Sequence, residues 1–120
     1  MDELKLGVVE SRFADIIWQN EPLHSRDLVK LCEAELHWKK PTTYTVLRKL
    51  CERGIFRNED SIVTSVISRK DFYAMQSRRF VEETFDGSLP AFLAAFTARQ
   101  ELSAEEVTQI RRLIAAYGEE

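Results

Sequence analysis

Apolar residues at Val9, Phe13, Ile16 and Ile17 keep to one side of a 3.6-residue period between Val8 and Gln19, which predicts an amphipathic helix. Pro22 closes that segment, and Leu23 fits a short strand. Ser25 then suits an N-cap, with Asp27 in the first turn at the positive end of a second helix that buries Leu28, Val29, Leu31 and Cys32. A third helix is expected from about Pro41 and Thr42, proline fitting the first helical position and the Thr42 hydroxyl facing unpaired amides, until Gly54 ends it. Its inward stripe is Val46, Leu47 and Leu50. The pattern then changes period. In IFRNEDSIVTSVI an apolar pair, a polar turn from Asn58 to Ser61 and a β-branched run from Ile62 to Ile67 predict a hairpin, with a turn longer than the tightest types.

Three further helices follow. Ser68 and Asp71 resemble a capping box with a shortened acid, opening a helix with Phe72, Met75, Phe80, Val81 and Phe85. Asp86-Gly87-Ser88 breaks it, and Ser88 can cap a segment whose Leu89, Phe92, Leu93 and Phe96 fall at i, i+3, i+4 and i+7. Ser103 and Glu106 make a regular capping box for the last helix, which presents Val107, Ile110, Leu113, Ile114 and Tyr117. The expected fold class is therefore mainly α with a small β-hairpin: a winged helix-turn-helix over residues 1–68, then a helical dimerisation region over 69–120. About fifty residues seldom bury an adequate core alone. Their dense stripes point to a twofold homodimer through Phe72, Phe85, Leu89, Phe92, Leu93, Phe96, Val107, Ile110, Leu113 and Ile114. Packing back on the winged helix is the plainer alternative.

Charge adds what the periodicity lacks. The 120-residue chain has a net charge of −3, so no global field draws it to nucleic acid. Yet between Leu36 and Arg57 six cations face the single acid Glu52. Lys39, Lys40, Arg48, Lys49, Arg53 and Arg57 are not needed for the core. An exposed helix of ordinary width fits the major groove, where Arg48 and Lys49 can donate to guanine edges or phosphates and Thr42 and Thr45 can meet thymine methyls or base acceptors. Lys39 and Lys40 precede the helix, where phosphate is favoured, and Arg53 and Arg57 lie towards the hairpin. Tyr44 either touches phosphate through its hydroxyl or packs beside the helix. The plain alternative is a solvated charged face; a winged helix used as a protein-binding module is the functional rival.

Other chemistry is thin. No G-x-S-x-G, H-E-x-x-H or G-x-x-x-x-G-K-[ST] occurs, so an enzyme is not expected, and no cofactor is implied. Cys32 and Cys51 belong to no CxxC pair, and His37 with Cys32 lacks further ligands, so no metal site is expected. Without a run of about 20 apolar residues, or a signal-peptide order in MDELKLGVVE, the expectation is a soluble cytoplasmic protein without a membrane partner.

Several of these segments resemble one known family. Glu10 with Ile16-Ile17-Trp18 resembles the first-helix signature of the penicillinase-repressor family of bacterial transcription regulators, the BlaI/MecI type, with Ser11 where an aromatic is usual. TTYTVLRKLCERGI resembles its recognition helix, Phe85-Asp86-Gly87-Ser88 its F-x-G-S turn, and Leu102-Ser103-Ala104-Glu105-Glu106 its L-S-x-E-E helix opening. The resemblance implies a homodimeric repressor bound to double-stranded, pseudo-palindromic operator DNA, before β-lactamase or penicillin-binding-protein genes. It also implies a signalling protease as candidate partner, cutting before a phenylalanine. Ala95 and Phe96 are the aligned positions; Phe96 matches, and Ala95 stands where asparagine is usual. The cysteine cluster of the copper-responsive branch has no counterpart after Cys51.

Overall fold

Helix α1 (Val8–Asn20) starts where the Gly7 N–H donates to the Glu10 carboxylate at 3.2 Å, satisfying an amide the helix leaves unpaired. A computed structural model describes residues 6–118, so the first half of the N-terminal stretch read above for targeting lies outside the described residues. The buried side of α1 is Phe13, Ala14, Ile16 and Ile17; Val9, expected in that stripe, is half exposed, and the small Ala14 takes its place. Strand β1 (Leu23–His24) leads into α2 (Ser25–Leu36). The N-cap is His24, whose Nδ1 accepts from the Arg26 N–H at 3.0 Å, and not Ser25 as expected. Ser25 is the first helical residue, buried, with its hydroxyl 3.2 Å from that of Tyr44. His37, at φ 60°, ends α2 in the left-handed region.

Helix α3 (Lys40–Glu52) begins one residue before the expected Pro41: the Lys39 carbonyl accepts the Thr42 and Thr43 amides at 3.0 and 3.2 Å, and no side chain caps it. Thr43, Leu47 and Leu50 are its buried stripe, with Val46 only half buried. Gly54 adopts φ +82°, a left-handed C-cap position that costs other residues a Cβ clash, and the Ile55 amide returns to the Leu50 carbonyl at 3.1 Å.

Strands β2 (Phe56–Glu59) and β3 (Ile62–Ser65) pair antiparallel with Glu59 opposite Ile62, and β1 adds to β3 on its other side, giving the order β1-β3-β2. The turn is the two residues Asp60 and Ser61, at φ 53° and 67°. Positive φ at both positions marks a tight type I′ hairpin, so the longer Asn58–Ser61 turn expected from polarity is corrected: Asn58 and Glu59 belong to the strand. The Glu21 carboxylate holds this sheet to the end of α1, accepting from the Ser65 amide at 2.7 Å and its hydroxyl at 2.9 Å. The order helix, helix, helix, hairpin is that of a winged helix-turn-helix.

The core of the first unit (Met1–Ser77) gathers Phe13, Ile17, Leu28, Leu47, Leu50, Ile55, Phe56, Val63 and Phe72, all 0–2 % exposed. Burying side chains of this size stabilises by about 1.5–3 kcal/mol each before chain entropy is charged. Trp18 covers its edge, its indole N–H donating to the Ile67 carbonyl at 3.0 Å and its ring 5.3–6.0 Å from those of Phe56, Phe72 and Tyr73. Helix α4 (Arg69–Phe85) is capped by the Ser68 hydroxyl, which accepts the Asp71 amide at 3.0 Å. Its start is fastened to α1 by Arg69, which donates to Asp15 at 2.9 Å and lies over the Tyr73 ring. The first turns of α4 thus belong to the winged unit, and the units divide after Ser77, inside the helix.

In the second unit (Arg78–Glu120), Asp86 (φ 51°) and Gly87 (φ 80°) reverse the chain after α4. Ser88 caps α5 (Leu89–Thr97) by accepting the Ala91 amide at 3.1 Å. Ser103 and Glu106 exchange two 3.0 Å bonds at the head of α6 (Ala104–Gly118), the expected reciprocal box. Phe80, Phe85 and Phe92 meet edge to face with ring centroids 5.6–6.1 Å apart.

Candidate nucleic-acid interface

The inward stripe of α3 fixes what its other side offers. With Thr43, Leu47 and Leu50 buried, Thr42, Thr45, Arg48 and Lys49 are exposed, and so are Lys39 and Lys40 at its start. Among the described residues no carboxylate lies within ion-pair distance of Lys39, Lys40, Arg48 or Lys49. Trp38 stacks on Phe13 with centroids 5.3 Å apart, which anchors the approach to Lys39 and Lys40. At the far end of the helix Lys49 lies in the last turn, where a cation also complements the dipole.

The other expected contacts are differently placed. Tyr44 is half buried, and its hydroxyl bond to Ser25 ties α3 to the start of α2. Arg53, half buried at the C-cap, reaches Glu10 of α1 at 3.6 Å. Arg57 is exposed on β2, its Nε 3.8 Å from the Glu59 carboxylate. Asn58, expected in the turn, lines a groove of about 390 Å³ with Tyr44, Leu47, Arg48 and Cys51. Strand alternation was the only signal for it: Phe56 and Asn58 share a side of β2, and Phe56 is in the core.

Neither thiol is poised for chemistry. Burial pushes the Cys32 thiol up to about 11, and burial followed by the nearby Glu52 raises Cys51 as well. Among the described residues, no group of three or more His, Cys, Asp and Glu side chains could hold a metal ion, and no helix is long and apolar enough to cross a membrane.

The second unit carries an apolar face. No residue of α5 or α6 is fully buried within the chain, and Leu89, Phe96, Leu113 and Ile114 are 53–66 % exposed. Phe85, Phe92, Leu93, Val107 and Ile110 are half buried beneath them. Phe92, Leu93, Phe96, Leu102 and Ile110 line an open groove of about 310 Å³. Phe72 does not belong with this set: it is fully buried in the winged core, so its expected place in a dimer interface is corrected. Ala95 and Phe96 lie within α5, both exposed.

Comparison with known proteins agrees with this arrangement. The chain is 20% identical over 117 residues to the penicillinase repressor of Bacillus licheniformis, an alignment covering 94% of this chain and 91% of that protein. It is 19% identical over 114 residues to the methicillin resistance regulatory protein MecI of Mammaliicoccus sciuri, covering 92% and 93%. The family model described as penicillinase repressor matches residues 6–116. With winged-helix and C-terminal helical parts both inside that match, the chain belongs to the penicillinase repressor family.

Proposed function

We propose that this chain is a homodimeric, sequence-specific DNA-binding repressor of transcription, acting in the cytoplasm on an operator of two half-sites. The observation that carries the reading is the outward face of α3. Four cations, Lys39 and Lys40 at the start of α3 and Arg48 and Lys49 along it, stand exposed and, among the described residues, without carboxylate partners, while the opposite side of the helix is locked into the core. Charges so placed add nothing to the fold that solvent does not already supply, whereas beside a phosphate they release bound counterions. Thr42 and Thr45 on the same face complete a surface suited to base edges. The exposed apolar residues of α5 and α6 are the proposed contact between two subunits, which lets both α3 helices grip one duplex. That the two relatives are a penicillinase repressor and a methicillin resistance regulatory protein favours β-lactamase or related resistance genes as targets, and a signalling protease acting at Ala95–Phe96 would cut within the proposed subunit contact.

Selection of bound sequences from a random duplex pool at near-physiological salt tests the reading. The expected product is an inverted repeat with half-sites spaced by whole helical turns. Failure to enrich any sequence, with only weak and salt-sensitive binding, would replace it with the protein-interaction module.

A further inference from the structure

Strand β2 is an edge of the three-stranded sheet, since the order β1-β3-β2 leaves one of its sides unpaired. Two bonds fix which of its backbone groups face outward. The Ile55 carbonyl accepts the Val66 amide at 2.8 Å, whereas the Ser65 amide, opposite Phe56, turns away from β2 to the Glu21 carboxylate. Residue pairs along an antiparallel ladder alternate between bonded and unbonded, so Arg57 and Glu59 bond β3 through their backbones, and the N–H and C=O of Asn58 point to the open edge. Among the described residues no turn, loop or side chain takes them up. Arg57 and Glu59 share the outer face of the strand by alternation, 54 % and 75 % exposed, one on each side of Asn58. Turned end for end about Asn58, the strand meets a copy of itself with Arg57 opposite Glu59 and Glu59 opposite Arg57. Edge strands are commonly blunted by charge, because one sign repels a second copy. This edge is instead complementary to itself. We propose that β2 is a contact between copies of this chain, two such strands pairing antiparallel about Asn58 with both Asn58 backbone bonds exchanged and two Arg57–Glu59 ion pairs formed.

The occupant is the hairpin of a neighbouring dimer. The proposed subunit contact uses α5 and α6, which leaves β2 of each subunit for a chain outside that dimer. Two short strands alone pair only marginally in water, so this contact joins nothing in dilute solution. Dimers already held on adjacent operators are another case, because the duplex raises the concentration of one edge at the other. The inference rests on the reading of α3 as the DNA-binding helix and adds cooperation between operators to it.

The full-length protein provides the test, with a duplex carrying one operator enriched by selection and duplexes carrying two, their centres moved apart one base pair at a time. In gel shifts the second dimer is expected to bind at least about tenfold more tightly than a dimer on the single operator, at a narrow set of spacings, as two modest hydrogen bonds allow. Arg57→Glu and Glu59→Arg each set like charges opposite one another and should bring that ratio to about one, whereas the double reversal should restore it. The ratio cancels whatever each change does to the grip of one dimer on DNA, and a role of Arg57 at phosphate would not return with the double reversal. Asn58→Pro removes the outward N–H and no bond to β3, and should also abolish the ratio. If single operators are bound but the ratio stays near one at every spacing, or if it survives the single reversals, β2 is not the contact and α3 still reads DNA. If no duplex binds the wild type, the proposed function fails and the inference with it.

Discussion

Replacing Arg48 and Lys49 together with alanine separates binding from folding. Both side chains are exposed, among the described residues neither is ion-paired, and neither is part of the buried Thr43, Leu47 and Leu50 stripe. Alanine is also the best helix former, so the cost to stability should stay within about 0.5 kcal/mol. Binding is another matter. In the proposed dimer the two substitutions take four positive charges off the DNA-facing surface, and if all four neutralise phosphate the slope of log affinity against log salt falls by about 3.6, at roughly 0.9 per contact. Any that reach guanine instead forfeit about 1–3 kcal/mol each. Four contacts at even 1 kcal/mol amount to roughly a thousandfold in affinity. Fluorescence anisotropy with the enriched duplex over a series of salt concentrations measures both quantities, and a thermal melt with sedimentation checks the fold and the dimer. Unchanged affinity and slope in a folded dimeric variant would refute the assignment of α3 as the reading helix.

Other substitutions probe other parts of the chain. Phe96→Asp places a charge on a side chain that is 53 % exposed in the single chain, so the variant should fold, sediment as a monomer and bind the two half-sites far more weakly; a variant that remains dimeric would move the interface elsewhere. Ser61→Gly removes the Cβ from a turn residue at φ 67° and should raise the urea midpoint by the equivalent of about 0.5–1 kcal/mol, whereas a fall would argue against the type I′ geometry. Cys32 gives a pH signature: its thiol is raised from the ordinary 9.0 to about 11 in the fold, so its contribution is complete below pH 9 and is lost as pH rises towards 11, where the unfolded thiol is ionised and the folded one is not. The total is on the order of 3 kcal/mol. In Cys32→Ala the decline of stability between pH 9 and 11 should be shallower, and an identical slope would mean that this thiol is not the group responsible.

What could be read from the sequence depended on how local the cause was. The starts of α4, α5 and α6 were legible at Ser68, Ser88 and Ser103, because a capping bond spans only three residues and leaves its trace in the spacing. The cations of α3 were legible for a similar reason, standing out against a nearly acid-free segment. Ser25 misled because its place is set by Tyr44, nineteen positions away, which draws the hydroxyl into the helix joint and leaves the cap to His24. The hairpin turn hid its type because Asp60-Ser61 lacks the glycine that usually announces two positive φ angles. Phe72 shows the limit of periodicity, which reports that a side chain is buried but not against what; Trp18 and the winged core claimed it. Asn58 escaped notice because a polar residue near a turn looks the same whether it faces solvent or a groove.

Both indoles of the chain, Trp18 against the Ile67 carbonyl and Trp38 stacked on Phe13, report from the winged unit, and the sequence holds no others. Tryptophan emission, excited beyond the tyrosine band so that Tyr117 of the second unit does not contribute, is therefore an optical probe of that unit alone, while far-ultraviolet circular dichroism sees the helices of both. If the two signals trace different denaturation curves, the units lose structure in separate steps, and a single unfolding free energy ceases to describe the chain. The emission of Trp18 and Trp38, the latter one residue before Lys39, can also be followed during titration with DNA, so a change in the surroundings of α3 is measurable without attaching any dye.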